Sequence, residues 1–226
     1  MFYETGEPGL TTDHLIYHDD AEAKSYELWK TQKKGFLSSF PFGAFAFARL
    51  DDRLASYPLW STAPRLSGRD PMGLTLRQPN IEFFTTECYG GPTHLNNRPP
   101  VDHQHVFSMI AELFSPQSRG TVTLQSTDPR DNPAVDHKYL DDPLDLLVLS
   151  EACRLGNEIV TQGSGTKHLI KGSWPPESTH HTYITREEWE LFVRQNATTC
   201  KPVHYTLALA LLFPCLSPTI LFLSKS

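Results

Sequence analysis

Apolar and polar positions along the chain fall into short periodic runs separated by proline- and glycine-rich stretches. Asp20 to Lys34 is polar and rich in helix formers, with Asp19 or Asp20 placed to cap its start and Gly35 in the C′ position that ends helices. Phe40 to Leu50 sets Phe45 and Phe47 between alanines, the alternation of a half-buried strand. Residues 51–79 keep no sustained period and read as a long surface excursion, either functional or poorly ordered. Ile81 to Tyr89 has strand composition. Val106 to Phe114 is a short apolar run that favours a strand and leaves a buried helix open. From Gly120 to Gln125, Val122 and Leu124 fall on one side and Thr121 and Thr123 on the other. A dense turn, Asp128-Pro129-Arg130-Asp131-Asn132-Pro133, follows.

The strongest predicted helix is Leu144 to Val160, with Asp142 at the N-cap and Pro143 at N1, where a missing N–H costs nothing. Leu144, Val148, Ala152, Leu155 and Ile159 form its apolar stripe, and Gly163 and Gly165 stop it. A second helix spans Arg186 to Gln195, opened by a capping box of Thr185 and Glu188 and a hydrophobic staple of Ile184 on Trp189. From Lys201 to Ser226 no acidic residue occurs, Leu207 to Leu216 is almost wholly apolar, and Pro202, Pro214 and Pro218 interrupt it. A membrane-spanning helix needs ~20 apolar residues, so the expectation is a divergent or disordered tail foreign to the fold, with a tail anchor as its rival.

With 226 residues, 39% of them hydrophobic, the chain can bury one good core. Its 18 prolines argue for many turns and against a helix bundle. The net charge of −6 shows no basic stripe, which argues against a nucleic-acid partner. Four well-separated cysteines (Cys88, Cys153, Cys200, Cys215) form no zinc-type spacing. Met1-Phe2-Tyr3-Glu4-Thr5 has neither the basic nor the apolar region of a secretory signal, and compartment stays open.

Ser115-Pro116-Gln117-Ser118-Arg119-Gly120-Thr121-Val122-Thr123-Leu124-Gln125-Ser126 resembles the substrate domain of the glucose–methanol–choline (GMC) oxidoreductases, which carries a stretch of the form P-x-S-R-G-x-V-x-L-x-S. The resemblance continues through Asp128-Pro129-Arg130-Asp131-Asn132-Pro133 to Tyr139-Leu140 and the helix from Leu144. The segment from Arg186 through Asn196-Ala197-Thr198-Thr199-Cys200 is similar to the one that leads into the family's H-P-x-G-T motif, and Gly35-Phe36-Leu37-Ser38-Ser39 loosely resembles a G-P-L stretch. The resemblance covers residues 1–200 and implies an α+β fold: an antiparallel sheet of five or six strands with helices on one face. It also implies FAD, a small-molecule alcohol substrate, hydride transfer to the flavin and a histidine base.

Departures from the family qualify these expectations. No G-x-G-x-x-G occurs, so the chain is expected to begin after the FAD domain and to bind no FAD itself. After Cys200 the chain runs Lys201-Pro202-Val203-His204-Tyr205; Pro202 stands about where the family's histidine belongs, and His204 is given no catalytic role. Glu82 is the one candidate, by resemblance to a strand glutamate that hydrogen-bonds the active-site histidine, with Glu87 as a weaker alternative; a solvated carboxylate is the plain reading of both. His103, His105, His180 and His181 read as structural histidines in preference to metal ligands. The glycosylation sequon Asn196-Ala197-Thr198 reads as chance. Phe40, Phe42, Phe45 and Phe47 read as core residues, with a pocket lining as the alternative. Three function classes stand: an inactive part of an FAD-dependent alcohol oxidoreductase, a stand-alone binding module, and a tail-anchored remnant.

Overall fold

The structure, a computed structural model, describes residues 1–6, 9–38, 42–90, 99–101 and 103–198. Ser39, Phe40, Thr199, Cys200 and the whole of Lys201–Ser226, with the apolar tail and His204, lie outside the described residues. The elements in chain order are β1 (Phe2–Thr5), α1 (Ala21–Gln32), β2 (Phe42–Ala48), α2 (Asp51–Leu54), α3 (Pro58–Ser61), β3 (Ile81–Thr86), β4 (Val106–Leu113), β5 (Thr121–Thr123), β6 (Ala134–Asp136), α4 (Pro143–Gln162), β7 (Ile170–Ser173) and α5 (Arg186–Asn196). The chain divides into two units, one of Met1–Ser118 with Leu140–Gln195 and one containing Arg119–Tyr139.

The first unit is built on a five-stranded, wholly antiparallel sheet in the order β2-β3-β4-β1-β7. Sequence periodicity located β2, β3 and β4. It missed β1 and β7, which are four residues each and too short for an alternation to stand out. One face of the sheet is covered by α4. Gly156 permits the close approach: a Cβ there would fall 2.8 Å from Met1 Cε and 3.1 Å from Phe83 Cε1. Across the same contact the Tyr3 hydroxyl donates to Asn157 Oδ1 at 2.9 Å.

Helix α4 begins as expected, with the Asp142 carboxylate accepting from the Leu144 N–H at 2.8 Å and Pro143 at N1. Its buried arc is turned from the predicted stripe. Val148 and Ala152 are buried, but Leu155 is half-buried and Ile159 exposed, while Leu146, Leu147, Cys153, Asn157 and Val160 face inward. The polar residues Asp145, Ser150, Glu151 and Asn157 lie on the buried arc, and a hydrophobicity period cannot count them. Two of them hold neighbouring segments. Asp145 accepts from the Gln117 and Ser118 N–H groups at 2.6 and 2.8 Å, and the Ser118 hydroxyl accepts from the Asp142 N–H at 2.9 Å. Glu151, fully buried, accepts from Arg53 Nε at 2.5 Å and Arg154 Nη2 at 2.7 Å, and Arg53 also grips Glu158.

Residues 51–79 are not the structureless excursion expected. They form α2 and α3, and Leu54, Trp60, Asp70 and Met72 are buried. Arg49 organises the segment: its guanidinium bonds Asp51 and Asp70 and the carbonyls of Thr75 and Gln78. A cation with four local acceptors orders a loop without leaving any apolar period to read.

Smaller expectations at helix ends also change. Asp20 flanks α1 in a left-handed conformation and makes no side-chain cap, and Lys33, ahead of Gly35, closes the helix in the left-handed region. The capping box of α5 forms, with Glu188 accepting from the Thr185 N–H at 2.9 Å and Thr185 from the Glu188 N–H at 3.4 Å. The staple does not: Ile184 is 77% exposed, while Trp189 is buried against Tyr183, His180 and Phe192.

The second unit contains the hairpin β5–β6, with Thr121, Val122 and Thr123 opposite Asp136, Val135 and Ala134. β5 pairs with β6 and takes no place in the five-stranded sheet. Gly120 opens the hairpin because any Cβ there would lie 2.3 Å from the Asp136 carbonyl oxygen, so the glycine of the Ser-Arg-Gly sequence is a steric requirement.

Candidate functional site

Side chains alternate between the two faces of a strand. Phe83 faces α4, so Glu82 and Phe84 point to the opposite face. Register extends that face to both neighbours: Phe45 and Ile110 flank Phe84, and Phe47 and Glu112 flank Glu82. Phe45 and Phe84 stack at 5.9 Å between ring centroids, and Phe47 and Phe114 at 5.8 Å. Phe45 and Phe47 are 50% and 61% exposed, which corrects the reading of these rings as core. They sit on β2, the outermost strand, where no further strand flanks them. Of the other two aromatics, Phe40 lies outside the described residues, and Phe42 is described only as the first residue of β2.

Glu82 lies in the middle of this aromatic face and is 9% exposed. Its carboxylate has no hydrogen bond or ion pair among the described residues. Burial, and then the Glu112 carboxylate across the strand pair, push its pKa above the usual glutamate value. Such a group accepts a hydrogen bond from, or shares a proton with, whatever cationic or N–H-bearing group is set against the face. Glu87 stands outside the site: it follows the end of β3, is exposed, and its carbonyl accepts from the Thr12 N–H at 2.6 Å.

The four candidate histidines do not converge. His103 occupies a left-handed turn before β4, so the expected same-side H-x-H on a strand is not formed. His105 packs against His14 and His18. His181 accepts the Ser173 N–H at Nδ1, and His180 is buried among Tyr3, Trp189 and Phe192. Among the described residues no group of three or more His, Cys, Asp or Glu has the geometry of a metal site.

Asp13 and Asp145 were not anticipated, yet each fixes the local frame. Asp13, fully buried, accepts from the Thr11 hydroxyl at 2.8 Å, the Tyr89 N–H at 2.8 Å and the Val106 N–H at 2.6 Å, tying the end of β3 to the start of β4. Both aspartates lie in ordinary turn or cap contexts, where nothing in the sequence marks burial.

No dinucleotide cradle is present among the described residues. Every strand pair is antiparallel, so there is no β-α-β unit with a glycine turn running into a helix N-terminus. Among the described residues no glycine turn at a helix N-terminus is formed that would hold the FAD pyrophosphate.

An antiparallel sheet with helices on one side and an aromatic, carboxylate-bearing face on the other defines an α+β domain of the single-sheet class. Comparison with known proteins shows what part of the chain resembles. Residues 116–206 match the family model described as GMC oxidoreductase. Versicolorin B synthase of Emericella nidulans is 47% identical over 62 residues, covering 27% of this chain and 10% of the synthase. Choline oxidase of Arthrobacter globiformis is 30% identical over 133 residues, covering 56% of this chain and 23% of the oxidase. Formate oxidase of Aspergillus oryzae superposes with a TM-score of 0.72 at 21% identity, covering 88% of this chain and 34% of that one, which shows a shared fold. Residues 116–206 of this chain are thus similar to the C-terminal domain of the GMC oxidoreductases, a family that includes FAD-dependent oxidases and dehydrogenases acting on small-molecule alcohols. Its match spans between a tenth and about a quarter of these two curated relatives' own length.

Proposed function

We propose that this chain is the substrate-side part of an FAD-dependent alcohol oxidoreductase, and that by itself it neither holds FAD nor oxidises an alcohol. The observation that carries the reading is the aromatic face of β2, β3 and β4, with Glu82 buried in it and no hydrogen-bond or ion-pair partner for its carboxylate among the described residues. Ligand sites are largely apolar with a few placed polar groups, and this face has that composition without the enclosing opposite wall. In the family's assembled site a carboxylate placed like that of Glu82 would orient the imidazole base by hydrogen bonding, while the flavin, when bound, would supply the redox chemistry; this chain lacks the histidine motif, so Glu82 is left without the base it would position. The proposed domain is residues 1–200, with 201–226 as a divergent tail.

The test is an assay of the purified chain with added FAD, an artificial electron acceptor and a panel of small alcohols. Acceptor reduction at the background rate is expected. Alcohol-dependent turnover above the FAD-only control would contradict the proposal.

A further inference from the structure

Away from the aromatic face, three imidazoles meet on the loop side of the sheet. His14 lies in the 3-10 turn Asp13–Leu15, His18 follows one turn later, and His105 directly precedes β4. Their ring centroids form a triangle with sides of 6.5, 6.5 and 5.4 Å. The hydrogen bonds assign one ring. The Thr11 hydroxyl donates its single proton to Asp13 Oδ2 at 2.8 Å, so the 3.2 Å contact between Thr11 Oγ1 and His105 Nδ1 requires Nδ1–H of His105 to donate. His18 Nε2 lies 2.9 Å from the Gln104 carbonyl oxygen and donates to it.

These contacts join the segment 11–18 to the entry of β4 through donated ring N–H groups, which survive protonation, so it is repulsion among the three crowded rings that acid would bring to bear. The same segment carries Asp13, whose carboxylate holds the N–H groups of Tyr89 and Val106. We propose that His14, His18 and His105 form an acid-sensitive clasp, closed while the rings are neutral, whose protonation releases segment 11–18 from the sheet.

The surrounding charges favour opening in acid. His105 faces His18, His14 and His103, all of which add positive charge on protonation, and Asp13 alone among its charged neighbours opposes them. Asp13 keeps its charge while accepting three hydrogen bonds from neutral donors, but its attraction is outweighed at His105 by burial and the neighbouring imidazoles. The Glu87 carboxylate lies on the other side of its strand, towards Gly43. Asp19 and Asp20 share a shallow surface depression with His18 at the start of α1 and are the acidic groups that oppose opening from that side. Burial, with the neighbouring imidazoles, also keeps His105 below the ordinary histidine range, so the closed form resists protonation and the open form does not.

Amide exchange of the purified chain at about pH 7.5 and about pH 5.5 reads the clasp directly, after correction for intrinsic exchange. The Tyr89 and Val106 N–H groups report opening, and the Val148 N–H in α4 reports global unfolding. One extra proton bound by the open form makes protection at Tyr89 and Val106 fall about tenfold relative to Val148 on acidification. In H14Q/H105Q that relative fall is expected to shrink to less than about half of the wild-type change. Should the double variant not fold, H14Q alone, at an exposed ring, is expected to reduce the fall. Protection at Tyr89 and Val106 that tracks Val148 at both pH values would overturn the proposal, as would an undiminished fall in whichever variant folds.

Discussion

His180 has its ring within 5.1–6.2 Å of Tyr3, Trp189 and Phe192 and is only 1% exposed. Burial lowers its pKa from 6.5 to about 3. Between those values the unfolded chain binds a proton that the folded chain refuses. The contribution of this ring to stability is therefore complete above about pH 6.5 and declines as pH falls towards 3, by at most ~1.4 kcal/mol per unit. Urea unfolding at about pH 7 and about pH 5 should show this loss, and H180F should remove most of it. Equal slopes with pH in both proteins would show that the ring is protonated in the fold. Asp145 makes a second residue-level prediction. D145A leaves the Gln117 and Ser118 N–H groups without their acceptor, and should cost about 3 kcal/mol. A loss below about 1 kcal/mol in denaturant titration would mean that water replaces the carboxylate. The burial of neither residue could be read from the chain alone, because it is decided by distant elements: Tyr3 and Trp189 for His180, the Gln117–Ser118 segment for Asp145.

Elements were legible where period and punctuation agreed. Strands β2, β3 and β4, the Asp142-Pro143 start of α4 and the Thr185–Glu188 box of α5 all carry local signals that the structure uses. The arc of α4 was misjudged because Glu151 and Asn157 point inward to satisfy Arg53, Arg154 and Tyr3. The order of residues 51–79 depends on Arg49 and Asp70, not on apolar spacing. The edge strand β2 bears the clearest prediction at this scale. Phe45 and Phe47 are exposed on an outer strand, an arrangement that promotes association between chains. F45S/F47S should raise the monomer fraction in light scattering while leaving the far-UV circular dichroism unchanged. An unchanged oligomer distribution with intact structure would show that this face does not drive association.

For the whole molecule, the family-like sequence from Ser115 to Tyr139 identified more than any periodic pattern, and the structure gives its physical content. Ser118 and Asp145 lock the entry to α4, while Gly120 permits the close approach of β6. These are architectural demands, so the residues of this motif have a structural use apart from any chemistry. Glu82 was legible only through resemblance: its strand position is visible in the sequence, whereas the ring of phenylalanines around it depends on the register of three strands. The central claim is that this domain contributes one wall of an active site and no cofactor cradle. The flavin content of the protein as purified tests it most directly, read by absorbance after gentle expression in a flavin-replete host. The account predicts protein without bound flavin; one FAD retained per chain would contradict it.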